Sequence, residues 1–206
     1  MPVSSSELIE ARRDEIISAC KKLYETMSFK DITIREIGRI TPFGRTSIYN
    51  YFQTKEEIFL ALMQREYELW AAELRGLAES TESMSVADFS SFLAHSLEKR
   101  EQLLKLLAMN HYDMEQNSSS ESLTAFKVAY GASLDAMRGC VKKFFPEQDT
   151  ERFIFVFFPF LFGVYPYSVA TQKQLDAMKA AKMDFKMHSI YEMIDSCVRQ
   201  LLGGAE

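Results

Sequence analysis

The stretch TIREIGRITPFGRTSIYNYFQTK, Thr33 to Lys55, decides how this chain folds. Thr33 followed three residues later by Glu36 is a capping-box pattern, opening a helix through Ile34, Ile37 and Ile40. Pro42 has no N–H to donate and ends it. Gly44 begins a second segment and Thr54 closes it, which leaves room for only about two turns. A helix that short does not recover its nucleation cost in water, so its neighbours must hold it. Ile48 and Phe52, four apart, face inward with Phe43 and Ile37. Arg45, Thr46, Ser47, Tyr49, Asn50 and Tyr51 carry a charge, hydroxyls, an amide and phenols outward. Helix, turn and short polar-faced helix is the spacing of a helix-turn-helix, whose second helix enters the DNA major groove. The competing reading is an ordinary turn in a helical core, with Tyr49 and Tyr51 as packing residues.

Charge favours the first reading. The whole chain of 206 residues is acidic, at −5, which argues against a general nucleic-acid coat. Residues 30–55, however, hold Lys30, Arg35, Arg39, Arg45 and Lys55 against Asp31 and Glu36, a local balance of +3. A positive island supplies the phosphate attraction that DNA binding needs. Free N–H groups at helix starts bind anions, and Thr33 and the Thr54–Lys55 pair put two such starts beside the short helix.

Outward from this stretch the hydrophobic spacing is helical. Ile16, Cys20, Leu23, Tyr24 and Met27 form one stripe, and Ser4 with Glu7 offers a capping box ahead of it. Thr54 with Glu57 opens a long helix to about Ala78. Helices follow at about Val86–Glu98, Ser122–Phe145 and Thr150–Val169, with shorter segments around Leu103–Met109 and Lys173–Lys182. A final helix carries Met187, Ile190, Tyr191, Ile194, Cys197, Val198 and Leu201. With no strand-like alternation, the expected fold class is all-α: a three-helix DNA-binding domain over residues 1–62 and a larger helical domain over 63–206. Phe153–Ala170 is uncharged over 18 residues, but Pro159, Gly163 and Pro166 interrupt it. A buried bundle helix fits it better than a membrane span. Three scattered cysteines and the absence of a signal-peptide pattern point to the cytoplasm.

Residues from about Arg13 to Leu62 resemble the N-terminal domain of the tetracycline-repressor (TetR) family of bacterial regulators. The segments RRDEIISACKKLYE, FKDITIREIGRI and TSIYNYFQTKEEIF carry the resemblance, with Ile48-Tyr49-x-Tyr51-Phe52-x-x-Lys55-Glu56 as its hallmark. The resemblance implies that Thr33 contacts phosphate, that Arg35 and Arg45 read bases, and that Thr46, Ser47, Tyr49 and Tyr51 form the recognition surface. It makes Lys55 a contact to the DNA backbone, and Asn50, exposed there, suits adenine. Three departures stand out: Ser28 where a glycine is usual, Gly38 in place of the common alanine, and Thr41-Pro42-Phe43-Gly44 in place of the usual Ala-Gly-hydrophobic turn. Pro42 fixes φ where the family's glycine is free.

Such regulators bind palindromic operators as homodimers and carry a ligand-binding domain after the first helices. Here the apolar stripe of the last helix and the aromatic segment before it are expected to pair across a two-fold axis, the alternative being that both simply close the monomer's own core. Trp70, Met109, Tyr112, Phe126, Tyr130, Met137, Phe158 and Phe162 are candidates to line an apolar effector cavity, although a packed aromatic core explains any one of them equally well. His95, His111 and His188 have no metal-ligand spacing, and no nucleophile elbow, paired carboxylates, phosphate loop or Cys–His cluster is present. No metal, cofactor or enzymatic activity is therefore expected. The expected function is a repressor of transcription that an apolar or aromatic small molecule releases from double-stranded DNA. An architectural or division-control DNA-binding protein without an effector is the alternative, and a small-molecule enzyme on a helical scaffold is a third.

Overall fold

The capping residues set where the helices start. The computed structural model describes residues 5–109 and 111–203, without the side chains of Ser5 and His111, so Ser4 of the first capping pattern lies outside the described residues. Among the described residues there are eleven helices and no strand: α1 Ser5–Thr26, α2 Ile34–Ile40, α3 Arg45–Ile48, α4 Lys55–Ser80, α5 Val86–Glu98, α6 Glu101–Leu107, α7 His111–Gln116, α8 Ser120–Phe144, α9 Thr150–Ser168, α10 Gln172–Ala180 and α11 Ile190–Leu201. The chain is all-α. It divides into two units, Met1–Glu68 with Asn110–Gly131, and Leu69–Met109 with Ala132–Glu206, so α4 and α8 each contribute residues to both.

In the first unit α1 and α4 supply most of the core. Ile16, Cys20 and Tyr24 of α1 and Ile58, Phe59 and Leu62 of α4 are all essentially removed from solvent. The Phe59 ring takes Tyr24 edge-on at 5.3 Å and Phe29 at 4.8 Å. Ile32, Ile37, Ile48 and Phe52 complete this core, which seats α2 and α3 on the longer helices. Each such side chain stabilises the fold by about 1.5–3 kcal/mol on burial. Phe43 differs from expectation: it is half-buried, beside the Tyr51 ring and under the Arg12 guanidinium.

The short helix is also shorter than its sequence suggests. Only Arg45–Ile48 is α-helical. The backbone then tightens, with Asn50 N–H donating to Ser47 O and Tyr51 N–H to Ile48 O, bonds of the 3₁₀ kind. Four residues cannot nucleate by themselves, and two fully buried anchors, Ile48 and Phe52, hold them.

In the second unit α11 packs on α5 and α9, and α6 packs on α9. Ser189 and Glu192 form a capping box, so α11 begins at Ile190 and Met187 lies ahead of it. The α11 stripe expected at a subunit interface instead turns inward, because Ile190, Ile194 and Val198 are buried against the protein's own α5 and α9. Within α9, Phe153, Ile154, Phe157, Phe158, Leu161 and Val164 face the core. Its opposite face leaves Phe155 78% exposed, with Val156, Phe162 and Tyr167 also open to solvent. No single helix among the described residues is long and apolar enough to cross a membrane. The α9–α10 pair meets length and composition together but is bent by 79° at its break.

Candidate nucleic-acid interface

The turn between α2 and α3 fixes where the polar side chains point. Thr41 is extended, as the residue before a proline must be, and its hydroxyl donates to Phe43 O at 2.8 Å. This brings α3 unusually close to α2. A Cβ built on Gly38 would stand 3.0 Å from Arg45 N and 3.3 Å from Arg45 Cα. Glycine at 38 thus permits the approach that places Arg45, and the two departures from the family pattern, Gly38 and the Pro42 turn, belong to one adjustment.

Thr33, Arg35, Arg45, Tyr49 and Lys55 come together around a groove of about 390 Å³, with Ile34 on its wall. Thr33 caps α2 by accepting from Glu36 N–H, while its hydroxyl donates to the Glu36 carboxylate at 2.8 Å. That hydrogen bond, reinforced by Arg39 and Arg35, holds the Glu36 carboxyl below its usual range. Glu36 so buttresses two arginines whose side chains remain about two-thirds exposed. Arg45 lies along its own helix, with its guanidinium 3.2 Å from the Tyr49 hydroxyl and 5.6 Å from the ring centre. Thr46 and Asn50 are exposed and Ser47 is half-buried on the same short segment.

Two expected contacts are placed differently. The Lys55 ammonium donates to Phe29 O at 2.8 Å and Ile32 O at 3.3 Å and sits 4.1 Å over the Phe29 ring. Its hydrogen bonds hold the turn before α2, so what it offers a phosphate is mainly charge. Tyr51 is absent from the 390 Å³ groove. It lines a second groove with Arg13, Gln53 and Glu57, and its carbonyl accepts from Arg13 at 3.0 Å. Sequence reading named Glu36 as a cap, Gly38 as a departure and Arg39 as part of the positive island, but counted none of them among the DNA-contacting residues. The spacing of Arg35 and Arg39, four apart on one helix face, was the available signal for Arg39.

The effector candidates are distributed. In the first unit Phe126 is buried against Tyr67 and Tyr130, at 6.1 and 6.4 Å between ring centres. Tyr112 is 74% exposed on α7 and lines no apolar core. In the second unit Trp70, Met137 and Phe158 are buried, Met109 is half-buried, and Phe162 faces solvent on α9. Trp70 packs on Phe158 at 5.6 Å, and its buried indole N–H has no acceptor among the described residues.

Comparison with known proteins bears on the family and the fold. Residues 16–62 match the model of bacterial regulatory proteins of the tetR family, and residues 64–205 match that of the tetracyclin repressor-like C-terminal domain. The HTH-type transcriptional regulator RutR of Escherichia coli K12 is 23% identical over 74 residues, 36% of this chain. The match spans about a third of that relative's length, 35%. Over nearly the whole chain the fold resembles the fatty acid degradation regulator FadR from Bacillus halodurans, with a TM-score of 0.58 at 19% identity, covering 95% of this chain and 96% of that one. It likewise resembles Thermus thermophilus FadR, solved in complex with lauroyl-CoA, with a TM-score of 0.59 at 20% identity, covering 94% and 95%. With family models matching both the helix-turn-helix and well over half of the chain beyond it, the protein belongs to the TetR family of bacterial regulators.

Proposed function

We propose that this protein is a cytoplasmic, homodimeric repressor that binds a palindromic operator through α3 and leaves it when an apolar small molecule binds. The groove that gathers Thr33, Arg35, Arg45, Tyr49 and Lys55 carries the DNA part of this reading. Arg35, Arg45 and Asn50 address base edges, Arg39 and the α2 start at Thr33 address the backbone, and Thr46 and Ser47 add hydroxyl donors. The half-site is read by one copy, and two copies present their α3 segments about one DNA turn, roughly 34 Å, apart. The exposed α9 face of Phe155, Val156, Phe162 and Tyr167 supports pairing of two copies, since apolar surface of that kind on one helix marks an interaction site.

Trp70 supports the effector part. A buried N–H without an acceptor costs about 1–3 kcal/mol. An apolar ligand with one acceptor, such as a carbonyl heading an aliphatic chain, relieves that cost beside Phe158. Thermus thermophilus FadR, similar in fold, is described with lauroyl-CoA, a ligand of this kind at its acyl end. Movement of α4, which contributes to both units, would transmit occupancy to α3. The test is selection of bound sequences from a random DNA pool, followed by release assays with acyl thioesters. A palindromic consensus that acyl thioesters weaken supports the reading. A palindrome that no apolar ligand weakens would favour an effector-free DNA-binding protein instead.

A further inference from the structure

α10, Gln172–Ala180, buries none of its residues. It is nevertheless finished at both ends. Thr171 and Gln174 form a reciprocal capping box at its start. At its end Lys182 N–H donates to Lys179 O and Met183 N–H to Met178 O, with Lys182 in the left-handed region at φ 52°. That pair of bonds is a Schellman motif, closed here by a non-glycine residue that pays a steric cost to adopt it. Nine residues make a marginal helix in water, and helices of proteins take their stability from packing one face. Here the apolar side chains are only partly covered by the chain itself: Leu175 is 40% exposed, Met178 is half-buried, and Met183 and Phe185 beyond the helix are 55% and 40% exposed.

We propose that residues 171–189, with α10 at their centre, form an arm that packs against a second copy of this chain. The inference rests on the dimer reading above and specifies part of its interface. Two observations select a second copy as the occupant. The arm leaves α9 through a 79° bend at the end of the same helix that exposes Phe155, Phe162 and Tyr167, so its exposed apolar residues follow that helix directly in the chain. Charge agrees as well. The arm holds four lysines, Lys173, Lys179, Lys182 and Lys186, against Asp176 and Asp184, a balance of +2 in a chain whose total is −5. The rest of the chain is therefore at −7, and a second copy attracts the arm at low salt. With only Leu175 and Met178 as large apolar residues, α10 is a poor membrane-surface helix, which needs a broad apolar face.

Because no α10 residue is fully buried within one chain, substitutions there should leave the rest of the fold intact, and with helicity retained any loss they cause is a loss of association. The experiment is sedimentation equilibrium of the full chain at several concentrations, for wild type, the double variant Leu175→Asp/Met178→Asp, and Phe155→Asp, with circular dichroism of each. The expected result is a dimer dissociation constant at least tenfold higher in the double variant, with helicity outside the arm retained and with wild-type affinity falling as salt is raised. A double variant that dimerises like wild type while Phe155→Asp dissociates overturns the arm and leaves the α9 dimer standing. A wild type that is monomeric throughout overturns both. Co-sedimentation with vesicles of phosphatidylcholine and phosphatidylserine, lost only in the double variant while dimerisation is unchanged, would assign α10 to a membrane surface and overturn the proposal.

Discussion

At Gly38 the placement of the recognition segment depends on a missing methyl group. Alanine there meets the Arg45 backbone at 3.0 Å, tighter than side chains normally tolerate, and the Ile48 Cδ1 atom at 3.6 Å. Alanine also gains about 1 kcal/mol of helix propensity over glycine, which offsets the crowding in stability but not in geometry. Gly38→Ala should therefore melt near the wild-type temperature while losing operator affinity. The loss can approach the 1–3 kcal/mol, or about that order, of a bidentate base contact. Anisotropy titrations alongside thermal melts would separate the two effects, and unchanged affinity would mean α3 tolerates displacement. Arg45→Ala and Lys55→Ala are expected to differ in kind. Removing Arg45 relaxes discrimination at one base position per half-site. Removing Lys55 releases the carbonyls of Phe29 and Ile32 and lowers stability by about 1.5 kcal/mol, the low end for a charged donor because the residue is half-exposed. Urea denaturation of both variants, with binding measured at several salt concentrations, would distinguish these outcomes.

Between elements, the first unit is joined by a carboxylate. Glu57, in the first turn of α4 and only 4% exposed, accepts from Gln53 N–H at 2.7 Å and from Ser119 N–H, at the start of α8, at 3.0 Å. Thr54 adds a hydrogen bond to Asn117 O at 3.0 Å. Burial pushes the Glu57 carboxyl up, but the bonds from Ser119, Gln53 and Thr54 outweigh it and leave it below its ordinary value. A lowered carboxyl contributes stability above its unfolded value, near pH 4, and that contribution fades as pH falls through the folded value. Glu57→Gln should thus be less stable than wild type at pH 7 and converge with it below about pH 4. Parallel denaturation curves at every pH would remove Glu57 from this role. The capping pattern Thr54-x-x-Glu57 was legible in the sequence, and so were the starts of α2, α4, α5 and α9, because caps and periodicity are local. The reach of Glu57 to Ser119 spans 62 residues and was not. Nor was the direction of the α11 stripe, since a period of 3.6 identifies a buried face without naming what buries it. The structure answers that Ile194 belongs to the core of its own chain, so Ile194→Glu should unfold the second unit rather than merely separate subunits.

For the whole molecule, occupancy of the effector site and of the operator are linked through one free energy. An effector that binds the DNA-free form more tightly lowers operator affinity, and operator DNA must lower effector affinity by the same factor. At about a hundred times its dissociation constant the effector should stabilise the DNA-free protein by roughly 2.7 kcal/mol. Trp70 makes the chemistry of that effector testable. If the indole N–H is an unmet donor awaiting a carbonyl, acyl thioesters and fatty acid esters should raise the melting temperature more than alkanes of equal length, because both bury similar area and only the former satisfy the donor. Trp70→Phe removes the donor while keeping a ring against Phe158. In that variant the preference for carbonyl-bearing ligands should disappear while binding of the alkyl chain remains. A thermal-shift series of matched esters and alkanes, run on wild type and Trp70→Phe with operator release measured for each hit, provides the readout. A preference for esters that survives the substitution would place the acceptor's partner elsewhere in the helical unit, and hits that stabilise the protein without releasing DNA would separate ligand binding from repression altogether.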